Sequence, residues 1–140
     1  MVDVTKWEKL NKLFLMYNTI SEYNRVALWT HPNVDAIALF GNIGIEIPDS
    51  GIKLPLLTYL HLGDNKITIK SQFDTKRFPR LTFLYLNGNE LVHFPGIFLK
   101  NGVIKLGVAR CHLKSLPDYL SQFTRLQYLD ARDNLSLIHI

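Results

Sequence analysis

The chain has 140 residues, of which 47% are hydrophobic and 20% charged, with a formal net charge of +4. That is the length of one domain with enough apolar side chain to fill a core, which excludes a disordered chain. Lys and Arg are scattered without a run of five, so no basic stripe argues for nucleic-acid binding.

The single cysteine, Cys111, excludes an internal disulfide. The opening MVDVTKWEKLNK holds no apolar signal core, and no apolar run approaches the ~18 residues of a membrane helix. These features predict a protein without membrane insertion, working in the reducing cytoplasm.

Six stretches share one pattern. In chain order they are LNKLFLMYN (10–18), VDAIALFGN (34–42), LTYLHLGDN (57–65), LTFLYLNGN (81–89), VIKLGVARC (103–111) and LQYLDARDN (126–134). Apolar residues stand eight, five and three places before a closing Asn or Cys, with Ala131 in the last of these places in the sixth stretch. The closing residues Asn18, Asn42, Asn65, Asn89, Cys111 and Asn134 are spaced 24, 23, 24, 22 and 23 apart. The prolines give an independent check. Pro32, Pro55 and Pro79 lie ten residues before a closing Asn, and Pro48, Pro95 and Pro117 six after a closing residue. Proline fixes φ and lacks an N–H, so both columns belong to strand approaches and turns.

The LxxLxLxxN/C pattern at this period resembles the leucine-rich-repeat family over nearly all of residues 7–140. Leu91–Pro95 and Leu113–Pro117 are similar to the LxxLP continuation of intracellular-type repeats, and Asn42–Pro48 leans toward the plant receptor type. The resemblance implies an α/β leucine-rich-repeat solenoid as one domain, 1–140. It would be a right-handed superhelix with a curved parallel sheet on its concave face. Turns, 3-10 pieces or short helices would line the convex face. A helix at residues 5–13 is conceivable, but the repeat register explains those residues better.

Strand alternation sends the pairs Leu13/Leu15, Ile37/Leu39, Leu60/Leu62, Leu84/Leu86, Leu106/Val108 and Leu129/Ala131 inward. Stacked repeats would bury them in one continuous core. The resemblance further implies a ladder in which side chains of the closing residues satisfy backbone groups where the chain leaves the strand. In this column Cys111 reads as a small buried side chain. No capping element is visible, and apolar Leu135, Leu137, Ile138 and Ile140 would lie near an open end, so a segment of a longer array is expected.

Motifs for catalysis are missing from the sequence: it has no phosphate loop, GxSxG elbow or HExxH. His31, His61, His93, His112 and His139 fall in different columns, which predicts ordinary turn residues and no metal site. Cys111 and His112 should diverge, and Asp64 could approach Asp130 and Asp133 only across intervening repeats. Asn134-Leu135-Ser136 matches a glycosylation sequon, read as accidental because Asn134 is a ladder residue. The expectation is a non-enzyme without cofactor.

The outward strand positions remain as a binding surface. Tyr59, His61, Phe83 and Tyr85 should form one patch on adjacent strands about 4.8 Å apart. Phe14 and Phe40 extend it on one side. On the other side the face turns charged, with Tyr128 among Lys105, Arg110, Asp130, Arg132 and Asp133. The candidate partner-binding set is therefore Phe14, Phe40, Tyr59, His61, Phe83, Tyr85, Tyr128 and Arg132. Such rings bind partners well, and they also stabilise a sheet without any partner. Six strands about 24 Å across and ~12 Å long give roughly 300 Å², against about 800 Å² per partner in a standard interface. This predicts a protein or peptide ligand of modest footprint, or recognition by a longer array. The alternative is the ligand-recognition segment of a larger signalling receptor or kinase.

Overall fold

The computed structural model describes residues 4–20, 28–48, 50–68, 77–94 and 102–134. Six three-residue strands form its frame: β1 (Lys12–Phe14), β2 (Ala36–Ala38), β3 (Tyr59–His61), β4 (Phe83–Tyr85), β5 (Lys105–Gly107) and β6 (Tyr128–Asp130). They make one sheet in sequence order, every neighbour parallel. The register aligns Lys12, Ala36, Tyr59, Phe83, Lys105 and Tyr128, and likewise every later position. The columns read from the sequence are therefore the columns of the sheet.

The alternation sorts side chains as expected. Ile37, Leu39, Leu60, Leu62, Leu84, Leu86, Leu106 and Val108 are all 0% exposed. Leu15, Leu129 and Ala131 pack on the same core but are only partly buried; each belongs to a first or last strand of the sheet, with a strand neighbour on one side among the described residues. A second layer from the connecting arcs closes the core, including Leu54, Leu57, Leu81, Val103 and Leu113. Trp29 packs edge-on against Phe78, and Phe94 against Phe123.

Turns precede the strands at regular places. The N–H groups of Leu57, Leu81 and Leu126 donate to carbonyls three residues earlier. Short 3-10 segments occur at Val4–Lys6 and Asp118–Gln122. The helix considered over residues 5–13 does not form: a 3-10 turn ends at Lys6 and strand β1 begins at Lys12. Pro117 stands at the entry of the second 3-10 segment in extended conformation. Pro95, Ser136, His139 and the apolar residues 135–140 lie outside the described residues.

The ladder is present, with one substitution in it. Asn65 is typical: its Nδ2 donates to the carbonyls of Leu39, Leu62 and Gly63, and its Oδ1 accepts from the N–H of Asn42. Asn89 and Asn134 each accept two backbone N–H groups, from Asn65 and Ile67 and from Cys111 and Leu113. One amide thus serves two turns at once, as a side chain with both donors and acceptors can. Cys111 fills the same place with its Sγ–H directed to the carbonyls of Leu86 and Ala109. Burial pushes its thiol up from the usual range, so it stays neutral and inert. Asn18, in the turn after β1, is exposed; among the described residues its Nδ2 reaches the Met16 carbonyl alone.

Candidate functional site

The outward face of the sheet carries a run of rings in mutual contact. Phe40 lies 4.6 Å from His61 between ring centroids, and His61 lies 5.3 Å from Tyr85. Tyr85 is 5.7 Å from Tyr59, and Tyr59 is 6.4 Å edge-on from Phe83. Lys105 places its ammonium 5.5 Å from the Phe83 centroid, within cation–π range. Parallel register makes this possible: Tyr59 sits beside Phe83 and His61 beside Tyr85. The four rings predicted to form one patch do so.

The other predicted residues are less tightly joined. Phe14 is 53% exposed, and Ala38 separates it from His61 in its column. Ala36 and Ala38 face outward yet are buried: small side chains flanked in register by Lys12 and Tyr59, and by Phe14 and His61, have little surface left. Tyr128 is exposed beside Lys105 in register. Arg132 is held by Asp130 in a bidentate pair with both N–O distances 2.9 Å. That bond holds the Asp130 carboxyl below the usual carboxylate range.

One participant was not among the expected residues. Tyr17 stacks edge-on against Phe40 at 5.1 Å and extends the run toward β1. It belongs to the column just before the closing residue: Tyr17, Gly41, Asp64, Gly88, Arg110 and Asp133. All six have positive φ, between 52° and 73°. This left-handed residue turns the chain out of the strand. Glycine adopts it freely and Asp tolerates it, so two glycines and two Asp in one column were the available signal. The glycines also make room. A Cβ on Gly41 would come within 2.6 Å of the Tyr17 ring, and one on Gly88 would overlap the Asp64 carboxylate. Across Gly88, Arg110 reaches Asp64 at 3.4 Å, both about half exposed; an exposed pair of this kind contributes little stability.

Burial sets the protonation of the patch. It pushes the Tyr59 and Tyr85 phenols up, each helped by the neighbouring phenol of Tyr85 or Tyr128. It pushes His61 down, against the opposing attraction of Asp64. At neutral pH the run is therefore uncharged, with Lys105 at its border. Neither phenol hydroxyl hydrogen-bonds another described residue.

The histidines differ from the expectation of ordinary turn residues in one case. His31 is buried; its Nδ1 accepts the N–H of Asn33, while its Nε2 and the nearby Trp29 Nε1 have no partner among the described residues. His112 is exposed while Cys111 is buried, so that pair diverges. Asn134 of the sequon is buried with its Nδ2 donating to Val108, Ala131 and Arg132 carbonyls. Among the described residues no helix is long and apolar enough to cross a membrane.

No family model and no curated protein sequence matches the chain. Among solved structures it is similar to InlP of Listeria monocytogenes, an internalin with leucine-rich repeats, at TM-score 0.69 and 24% identity. The match covers 95% of this chain and 38% of that one, so the chain spans well under half of its neighbour's length. Six parallel strands in constant register, a side-chain ladder and this likeness together make the fold a leucine-rich-repeat solenoid.

Proposed function

We propose that this chain is a non-catalytic module of six leucine-rich repeats that binds a protein or peptide on its strand-lined face. The observation that carries this reading is the unbroken run of rings from Tyr17 through Phe40, His61, Tyr85 and Tyr59 to Phe83. Aromatic rings give large contact area at low entropy cost, and the Tyr59 and Tyr85 hydroxyls, which bond no other described residue, can add directional bonds. An extended peptide lying across the strands would meet apolar rings first and Lys105, Arg110 and Arg132 beyond them. The ligand is a polypeptide rather than a nucleic acid, because the cations on this face are few and two of them are tied to Asp64 and Asp130. The cytoplasm is the proposed place of action, and no cofactor enters the reading.

The test is capture of partners from the source cell on the wild-type chain and on the Tyr59→Ala/Phe83→Ala/Tyr85→Ala variant, both shown folded by circular dichroism. A protein retained by the first and lost by the second is expected. Identical captures would leave the rings as sheet support alone.

A second reading follows from length. Because the chain spans 38% of InlP, it also suits the recognition segment of a longer array, within a signalling receptor or kinase. An extended reading frame encoding further repeats and a catalytic domain would establish it.

A further inference from the structure

The aromatic run offers hydrogen-bond donors and few free acceptors. The Nδ1 of His61 accepts the N–H of Gly63 at 3.2 Å. A backbone N–H only donates, so the neutral ring carries its proton on Nε2. The Oδ1 of Asn87 is likewise taken, by the N–H of Ala109 at 2.8 Å, which leaves the donors of its Nδ2. Gly107 makes room for this arrangement: a Cβ there would come within 2.8 Å of Asn87 Oδ1 and 2.9 Å of the Tyr85 ring. The His61 Nε2, the Asn87 Nδ2 and the Tyr59 and Tyr85 hydroxyls bond no other described residue. Lys105 adds an ammonium at the border. The carboxylates do not reverse the balance. Asp64 and Asp130 are engaged by Arg110 and Arg132, and Asp35 and Asp133 stand outside the run, before β2 and after β6.

The electrostatic complement of such a surface is apolar, uncharged, rich in carbonyl oxygen and poor in N–H. An ordinary extended peptide brings one N–H per residue, and those turned to the rings would lose water without gaining an acceptor. A proline-rich segment brings none at its prolines. In the polyproline II conformation its carbonyls make no internal hydrogen bonds, so they are open to the donors of the sheet. The repeat of that helix also suits the strands. Three residues advance about 9.3 Å, and strands two apart are separated by about 9.6 Å. Phe40 and Tyr85 come from repeats two strands apart, with the His61 ring between them.

We infer that the ligand of this face is a proline-rich segment in polyproline II conformation, lying across the strands with its prolines on the rings and its carbonyls accepting from the Tyr59 and Tyr85 hydroxyls. The inference rests on the proposal that the face binds a polypeptide, and adds the chemistry of that polypeptide. From β1 to β4 the run crosses three strand spacings, about 14 Å, which is a footprint of about five residues. A ligand whose conformation is set in advance loses little entropy on binding, which suits a footprint this small.

The test is fluorescence anisotropy of labelled decaproline with the 140-residue chain, beside a glycine–serine peptide and an oligoglutamate of equal length. Decaproline should bind saturably, and about 10-fold or more tighter than either control. Tyr59→Phe/Tyr85→Phe keeps both rings and removes hydroxyls that bond no described residue, so the fold is retained. Its affinity for decaproline should fall about 5- to 50-fold. In NMR spectra the Gly63 and Ala109 amides, bonded to His61 and Asn87, should shift as decaproline is added. No saturable binding up to about 1 mM, equal affinity in the hydroxyl-free variant, or tighter binding of oligoglutamate would each overturn the inference. A captured partner that the Tyr59→Ala/Phe83→Ala/Tyr85→Ala variant loses, from a chain with no affinity for decaproline, would overturn this inference alone and leave polypeptide binding on the rings standing.

Discussion

Leu84→Ala is the perturbation that tests the core most sharply. Leu84 is fully buried in β4, with Leu60 and Leu106, equally buried, on either side in register. Truncation to Ala removes three carbons, worth about 0.8 kcal/mol of transfer free energy each. The cavity that remains adds about 24 cal/mol per Å³. Neighbouring strands are fixed by the ladder and by backbone pairing on both sides, so the site collapses poorly, and the loss should reach about 3–4 kcal/mol. Per-residue unfolding entropy puts this at about 10 °C in Tm for a chain of this size. Leu129, the same column in β6, is only partly buried, and its truncation should cost about half as much. Thermal and urea unfolding followed by circular dichroism measure both. A Leu84→Ala loss under about 1 kcal/mol, or one no larger than that of Leu129→Ala, would refute a continuous core stacked between repeats.

Other outcomes follow from the turns and the patch. Asn65→Ala removes four hydrogen bonds and leaves the buried Asn42 N–H without a partner among the described residues, while the Leu39, Leu62 and Gly63 carbonyls keep one donor each; it should destabilise by about 2 kcal/mol in urea unfolding. Gly88→Ala meets both a positive φ and the Asp64 carboxylate; it should cost about 1–2 kcal/mol and release Arg110, read as lost side-chain order by NMR. His61 has a lowered pKa because burial disfavours its cation, with Asp64 partly opposing. The unfolded chain therefore takes the proton first. This contribution to stability is complete above the unfolded value of about 6.5 and is lost as pH falls through the lower folded value. The urea midpoint should drop across that window, and less so in His61→Gln; an equal drop in both would remove His61 as the cause.

Much of this molecule was legible in the sequence because one rule repeats. A leucine every second place, then an asparagine, fixes strand, facing and register together, so β3 and β4 and the contacts among Tyr59, His61, Phe83 and Tyr85 follow from column positions. What the columns could not supply was how unequal neighbours fill space. Ala36 and Ala38 count as outward by alternation but are sheltered by larger neighbours. Tyr17 leaves the strand by a left-handed turn and comes back over Phe40 only because Gly41 leaves room. His31 sits in an arc, where no period marks burial, and packs inside. Arg132 carries an exposed charge in sequence, yet Asp130 two residues earlier folds under it and accepts from its Nε and Nη2.

The central claim is that partners meet the strand-lined face. Its most direct test is site-specific photocrosslinking with a benzophenone amino acid placed at Phe83 on that face, or at Lys53, which is exposed in a connecting arc. After irradiation in source-cell lysate, the account predicts a discrete polypeptide adduct from Phe83 and none from Lys53. Adducts from Lys53 with none from Phe83 would contradict it and move recognition to the arcs.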